Sequence, residues 1–278
     1  MKASVYTSLF NYSPEKFDLL GAFKNWSKYA DEIVIATFED QELSLGKIIF
    51  KEYFGGFYQC APQNEGKPFI KLIGVKDTSL DDPLFDGKLK NAALQSCLNE
   101  LVIQQDLDER LSGDIKMWEY LGEILKQHSP PIACLLPVID LYKDLSHYKS
   151  VGSKFYFHLK EGVFRGVVNY AKKEDGFINV NLSDSTEPID KDGNLIRAFP
   201  FDSFFGEVGR IPQFDITMPH VCHLGYLDLD KRIKNNKFWK GVWCSRAGEN
   251  IEVATTLEKL EEENEAIPHG LPIKWWEN

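Results

Sequence analysis

Residues 101–110 read LVIQQDLDER: an aliphatic run, Leu101-Val102-Ile103, gives way at once to Asp106-Leu107-Asp108-Glu109. An unbroken apolar run of this length suits a strand covered on both faces, as in a parallel sheet. Ligands of open α/β sheets collect at the carboxyl ends of the strands, so acidic side chains just beyond such a strand are placed to meet one. The segment therefore predicts a mostly parallel sheet and locates its working end.

Toward the N-terminus the same grammar repeats. Residues 4–10 read as a strand, after which Ser13 offers an N-cap and Pro14 suits the first turn of a helix carried by Phe17, Leu20, Phe23 and Trp26. Residues 33–37, IVIAT, are a second buried strand. A helix over 43–53 ends at Gly55-Gly56, residues 69–75 form a third strand, and residues 88–98 a helix packing through Leu89, Ala92, Ala93 and Leu94. On the other side of the acidic cluster, Gly113 and Asp114 open a helix whose Ile115, Trp118, Leu121, Ile124 and Leu125 keep the 3.6 period. Residues 132–139 supply one more strand. Such alternation predicts an α/β fold with helices on both faces of the sheet.

From about residue 150 the pattern changes. Short aromatic and β-branched runs at 155–159 and 163–168, with Asp-Gly turns at 175–176 and 192–193, predict a smaller antiparallel, loop-rich region. The tail starts as a Glu/Lys-rich helix and ends in Trp275-Trp276, which should dock on the body of the protein.

Composition narrows the function. With 278 residues, 43% of them apolar and 13% aromatic, the chain can bury a large core and is not disordered. A net charge of −10 argues against nucleic acid as the main partner. The five cysteines are scattered without a CxxC pair, which excludes a disulfide framework or a zinc ribbon. Neither a signal-peptide run nor a stretch of membrane-spanning length is visible, so a cytoplasmic, soluble protein is expected; a local basic patch leaves peripheral membrane contact open.

If the chain stays extended after the strand, Asp106 and Asp108 project to the same side. Two carboxylates converging on one point repel each other unless a cation lies between them, and hard oxygen donors suit Mg²⁺ or Mn²⁺, which keep positions open for phosphates. A calcium loop fails because Arg110 and Leu111 stand where an oxygen ligand and a glycine are needed. Asp190 to Asn194 reads instead as a hairpin turn, and Asp228-Leu229-Asp230 as the opening of a helix.

The linked set KNAALQSCLNELVIQQDLDE (residues 90–109), together with the opening strand, its helix and YADEIVIATFED (residues 29–40), resembles the family 2-like glycosyltransferases of the GT-A fold. In that family a basic residue and Asn start a helix, and a strand then delivers an Asp-x-Asp-Glu metal motif. The resemblance covers roughly the first half of the chain. It implies one GT-A-like domain with a nucleotide-sugar-binding half at 1–145, an acceptor-binding half at 146–254 and a tail at 255–278. Asp108 becomes the principal metal ligand, Asp106 contacts the ribose or bridges to the metal, and Glu109 supports them. Thr7 and Ser8, then Thr37 with Glu39 or Asp40, would lie near the nucleoside, and Lys90 and Asn91 would face the same pocket. Members of the family also draw a histidine from the C-terminal half, for which His223 is preferred and His220 second. The helix that follows, with Lys231, Arg232 and Lys237, would neutralise the departing diphosphate.

The expected reaction is metal-dependent transfer of a sugar from a nucleotide-diphosphate sugar donor to a hydroxyl of a carbohydrate or other acceptor, with inversion. A carboxylate must then take the acceptor proton. Among Asp184, Glu187, Asp190, Asp202 and Glu207, Glu187 is preferred and Asp184 second, although the chain lacks the family's clear acceptor-side Glu-Asp pair. Trp239, Trp243, Tyr170 and Phe204 suit either sugar stacking or the core. Two alternatives stand: a nucleotidyltransferase with a similar acidic metal site, although no Gly-rich basic loop follows the first strand, and a catalytically inactive carbohydrate- or nucleotide-binding protein.

Overall fold

The computed structural model describes residues 1–12, 18–54, 68–82, 84–129, 132–166, 187–194, 196–199, 215–247, 250 and 252–277. The first half runs β1 (Ala3–Ser8), α1 (Leu19–Trp26), β2 (Glu32–Phe38), α2 (Glu39–Phe54), β3 (Phe69–Val75), α3 (Phe85–Ser96), β4 (Leu101–Gln104), β5 (Glu109–Ser112) and α4 (Ile115–Lys126). The second runs β6 (Ile132–Tyr142), β7 (His147–Leu159), β8 (Phe164–Gly166), β9 (Glu187–Ile189), β10 (Arg197–Phe199), β11 (His220–Tyr226), α5 (Leu229–Ala247), α6 (Leu257–Glu262) and β12 (Ile267–Pro268).

The main sheet has the order β3-β2-β1-β4-β7-β6-β11-β5. Its first four strands are parallel. The chain leaves β1 toward β2 and β3 on one side and returns to β4 on the other, which makes the carboxyl ends of β1 and β4 a topological switch point. Alternate strand residues serve opposite faces. Val5, Ile33, Ile35 and Ile103 cover Phe23 and Trp26 of α1, Leu45 and Ile49 of α2, and Trp118 and Leu121 of α4. Tyr6, Val34, Ala36 and Val102 meet Phe85, Leu89 and Ala93 of α3, joined by Trp239 of α5. Each face thus carries its own core, and the expected α/β architecture with helices on both faces is present.

Local chemistry sets the helix starts. Asp18, not Ser13, caps α1, its Oδ1 accepting the Gly21 N–H at 2.9 Å; Ser13 and Pro14 lie outside the described residues. Asp114 caps α4 as expected, accepting from the Lys116 N–H at 2.9 Å. Helix α2 begins four residues before the apolar pattern does, at Glu39, because Glu39, Asp40 and Glu42 place negative charge at the positive end of the helix dipole.

The change of pattern near residue 150 marks a reversal of strand direction inside the main sheet. Strand β7 lies antiparallel between β4 and β6. β8 and β9 form a separate antiparallel pair. Asp192-Gly193 is a tight turn, with Gly193 at φ +84 and the Asp190 N–H donating to the Asn194 carbonyl at 2.8 Å. The turn at 175–176 lies outside the described residues. In the tail, Trp275 and Trp276 are buried, and the Trp275 indole donates to Nε2 of His220 at 2.8 Å. Among the described residues no helix is long and apolar enough to cross a membrane.

Candidate functional site

Strand β4 ends at Gln104 and the chain reverses within the acidic cluster. The Glu109 N–H donates to the Asp106 carbonyl at 3.0 Å, and Glu109 Oε2 accepts the Asp106 N–H at 2.8 Å. Asp106 and Asp108 therefore sit on a turn, which corrects the extended conformation expected from the sequence. The turn joins a central strand to β5, the far edge of the same sheet, so the sheet must curl for that edge to return. It closes on α1, where Asn25 donates to the Leu111 carbonyl at 2.9 Å and accepts the Leu111 N–H at 2.7 Å.

Curling gives the two aspartates different neighbours. Asp106 is held by lysines, Lys154 Nζ at 3.1 Å and Lys90 Nζ at 3.4 Å, and accepts from Gln104 Nε2 at 3.0 Å. Burial would raise its pKa, but the two lysine charges prevail and hold the carboxyl well below the usual range. Lys154, which also lies 3.4 Å from Glu109, is pushed up in turn: burial opposes the charged form and the two carboxylates overrule it. Glu109 holds the turn through the Asp106 N–H.

Asp108 faces a histidine. Strand register sets His223 beside Glu109 on one side and Asp140 on the other. His223 Nδ1 lies 2.7 Å from Asp140 Oδ1, and Nε2 lies 3.5 Å from Asp108 Oδ2. Burial disfavours the imidazolium, yet the carboxylates on either side raise the His223 pKa well above its ordinary value. Against the same burial, His223 lowers both acids, Asp140 to about 2. Asp140 is fixed further by Ser150 Oγ at 2.7 Å.

The Asp108–His223 pair fits a divalent cation. Two donors each about 2.1 Å from one ion at right angles stand about 3 Å apart, and a carboxylate on the remote histidine nitrogen is the usual way to aim the other nitrogen at a metal. Gly225 keeps the gap open: a Cβ there would lie 2.5 Å from His223 Nε2 and 2.9 Å from Asp108 Oδ2. Among the described residues no group of three or more His, Cys, Asp or Glu is placed to hold a metal ion, so this pair is the most the described side chains would offer one. An ion held here would draw its remaining ligands from phosphate and water.

Other candidates vary in placement. Thr7 and Thr37 lie one residue before the ends of β1 and β2 and are sealed from solvent, the Thr37 hydroxyl without a partner, whereas Ser8 is half-buried. Glu39 and Asp40 are exposed at the carboxyl end of β2, Glu39 pairing with Lys76 at 3.3 Å. Lys90 joins the cluster through Asp106, and Asn91 Oδ1 accepts the Arg165 N–H at 3.4 Å. Lys231 lies in the first turn of α5, its N–H donating to Asp228 at 3.0 Å. It is Arg232 whose charge acts on Asp108, and its guanidinium lies over Tyr226, donating to the hydroxyl at 2.8 Å. His220 is spent elsewhere: Nδ1 lies 2.7 Å from the Met218 carbonyl and Nε2 accepts from Trp275. Trp239 stacks on Phe85 within the core. Asp184, Tyr170, Phe204 and the side chains of Glu187 and Trp243 lie outside the described residues.

Sequence reasoning passed over Asp140, Lys154, Gln104 and Gly225. Asp140 carried a signal, since it directly follows the apolar run 132–139 as the acidic cluster follows 101–103. Lys154 carried none, because only the register of β7 against β6 and β4 brings it to the cluster.

No family model matches the chain, and no curated protein matches it. Among solved structures, S. aureus TarS 1–349 is similar at 19% identity and a TM-score of 0.29 over 51% of this chain, and its complex with UDP gives the same values. The chain spans 36% of that fragment's length. A 4-diphosphocytidyl-2C-methyl-D-erythritol synthase from Anaerococcus prevotii DSM 20548 is similar at 12% identity and a TM-score of 0.30 over 94% of both chains. Neither likeness is close enough to assign a function.

Proposed function

We propose that the protein is a glycosyltransferase that uses a nucleotide-diphosphate sugar and a hydroxyl acceptor, with Mn²⁺ or Mg²⁺ held by Asp108 and His223. The observation that carries this reading is the file Asp108–His223–Asp140 at the working end of the sheet, with Gly225 leaving room between the first two. When bound, the ion would stabilise the negative charge that grows on the β-phosphate as the glycosidic bond breaks.

The remaining work falls to side chains. Asp140 holds the Nδ1 proton of His223 and so keeps Nε2 turned toward Asp108. Arg232 contributes positive charge on the diphosphate side. Asp106, kept ionised by Lys90 and Lys154, is an acceptor suited to ribose hydroxyls. Glu187, or Asp184, takes the acceptor proton as the new bond forms on the opposite face of the sugar.

The test is hydrolysis of a panel of sugar nucleotides in the presence of Mn²⁺ by the wild type and Asp108→Asn. Slow release of free sugar and nucleoside diphosphate by the wild type, abolished in the variant, is expected. Release of pyrophosphate from a nucleoside triphosphate and a sugar phosphate would replace the reading with a nucleotidyltransferase. Binding without turnover, acceptors having been supplied, would identify an inactive binding protein.

A further inference from the structure

Next to the proposed nucleotide site lies a cation that meets no counter-charge among the described residues. Arg165, on β8, is only 5% exposed. One of its nitrogens, Nη2, donates to Gln104 Oε1 at 3.2 Å, and its guanidinium carbon lies 5.9 Å from the centre of the Tyr6 ring. Nε and Nη1 are buried without a hydrogen-bond partner, and among the described residues no carboxylate forms an ion pair with this side chain. A guanidinium cannot shed its proton to relieve the cost, so a buried and unpaired one is expensive.

The surroundings add to the imbalance. Lys90, Lys154 and Arg165 bring three positive charges, and among the described residues Asp106 and Glu109 are the carboxylates seen paired with the lysines. Arg165 also bears on its neighbours: together with burial it keeps His158 neutral. Gln104 ties this group to Asp106, because its Oε1 must face the guanidinium, which has only donors, and its Nε2 then points at the carboxylate. The excess cation is therefore built into the end of β4 on the Gln104 side of Asp106, while Arg232 and His223 act on Asp108.

Resting on the reading above, we infer that the ligand brings a second oxyanion, a carboxylate or phosphate separate from the diphosphate, and that Arg165 is its counter-ion. The guanidinium's unspent N–H groups suit a two-point contact with either anion. Asp106 and Lys154, with side chains 36% and 21% exposed, form the open edge of the group.

Two sources of the anion are separable by calorimetric titration of the full-length protein with Mn²⁺ present. A carboxylate on the transferred sugar predicts that UDP-glucuronate binds at least tenfold more tightly than UDP-glucose. An acceptor-side phosphate predicts instead that inorganic phosphate tightens the binding of UDP at least fivefold. Whichever effect the wild type displays should vanish in Arg165→Gln and persist in part in Arg165→Lys, which keeps the charge without the fork. UDP binding with neither effect overturns the inference and leaves the nucleotide reading in place, as does an effect that survives in Arg165→Gln. If UDP does not bind at all, the nucleotide reading falls, and the subsite stands only if phosphate alone still raises the Tm of the wild type and not that of Arg165→Gln.

Discussion

Asp140 and His223 occupy adjacent positions in neighbouring parallel strands, and the carboxylate holds the imidazole Nδ1 at 2.7 Å. The pairing decides which histidine nitrogen is free to face Asp108. Asp140→Asn keeps the shape and removes the charge, so the metal-free variant should show a His223 pKa lower than in the wild type by NMR titration. Mn²⁺ affinity should fall about 10- to 100-fold, the usual cost of losing a carboxylate behind a metal-bound histidine. An unaltered Mn²⁺ titration would remove His223 from the metal site.

The two aspartates of the acidic turn should part company under mutation. Asp108→Asn removes a proposed ligand and should abolish Mn²⁺-dependent turnover with little loss of stability. Asp106→Asn strands Lys90 and Lys154 beside a neutral group and should cost about 1–2 kcal/mol in urea unfolding, the figure being reduced for partial exposure. Its effect on function should appear as a raised KM for the nucleotide sugar. Loss of Mn²⁺ binding in Asp106→Asn, with normal binding in Asp108→Asn, would reverse the roles.

Much of the fold was legible because strand burial is written in runs of one residue class: residues 33–36 and 101–103 needed no partner to be recognised. The site was legible only in part. Asp108 and His223 were visible as acid and histidine near strand ends, but the turn at 106–109 was not, since an apolar Leu107 between acids suits an extended strand as well as a turn. Lys154 reaches the cluster through the pairing of β7 with β6, and Arg165 because β8 lies against α3, where its N–H donates to Asn91; a pattern of apolar residues encodes neither placement.

Gly225 offers a test that leaves every charged group in place. In Gly225→Ala the new methyl would press on His223 Nε2 and Asp108 Oδ2 from 2.5 and 2.9 Å, closing the gap between the two proposed ligands. Turnover and Mn²⁺ binding should fall together by at least tenfold, while the Tm changes by only a few degrees. Full activity in this variant would mean that no ion sits between those atoms.

Acid stability should be governed by two histidines outside the metal pair. Burial lowers the pKa of His158 to about 3, helped by the charge of Arg165, and that of His220 to about 4 despite the Met218 carbonyl on its Nδ1. Unfolded, each titrates near 6.5, so between about pH 6.5 and 4 the unfolded chain takes up two protons that the folded one refuses, and stability falls as the pH drops. The slope should approach about 1.4 kcal/mol per pH unit for each group. His223 behaves oppositely: its raised pKa gives a contribution fully present below 6.5 and lost only at higher pH, so it adds no slope in this window. The lowered carboxylates, Asp106, Asp108 and Asp140 among them, begin to contribute below about pH 5. Urea unfolding from pH 6 to 5 should therefore show a slope approaching two protons in the wild type and about one less in His158→Gln, whose amide can still accept from the Tyr6 hydroxyl. Equal slopes in the two proteins would mean that His158 is protonated in the folded state and that the Arg165 charge does not weigh on it.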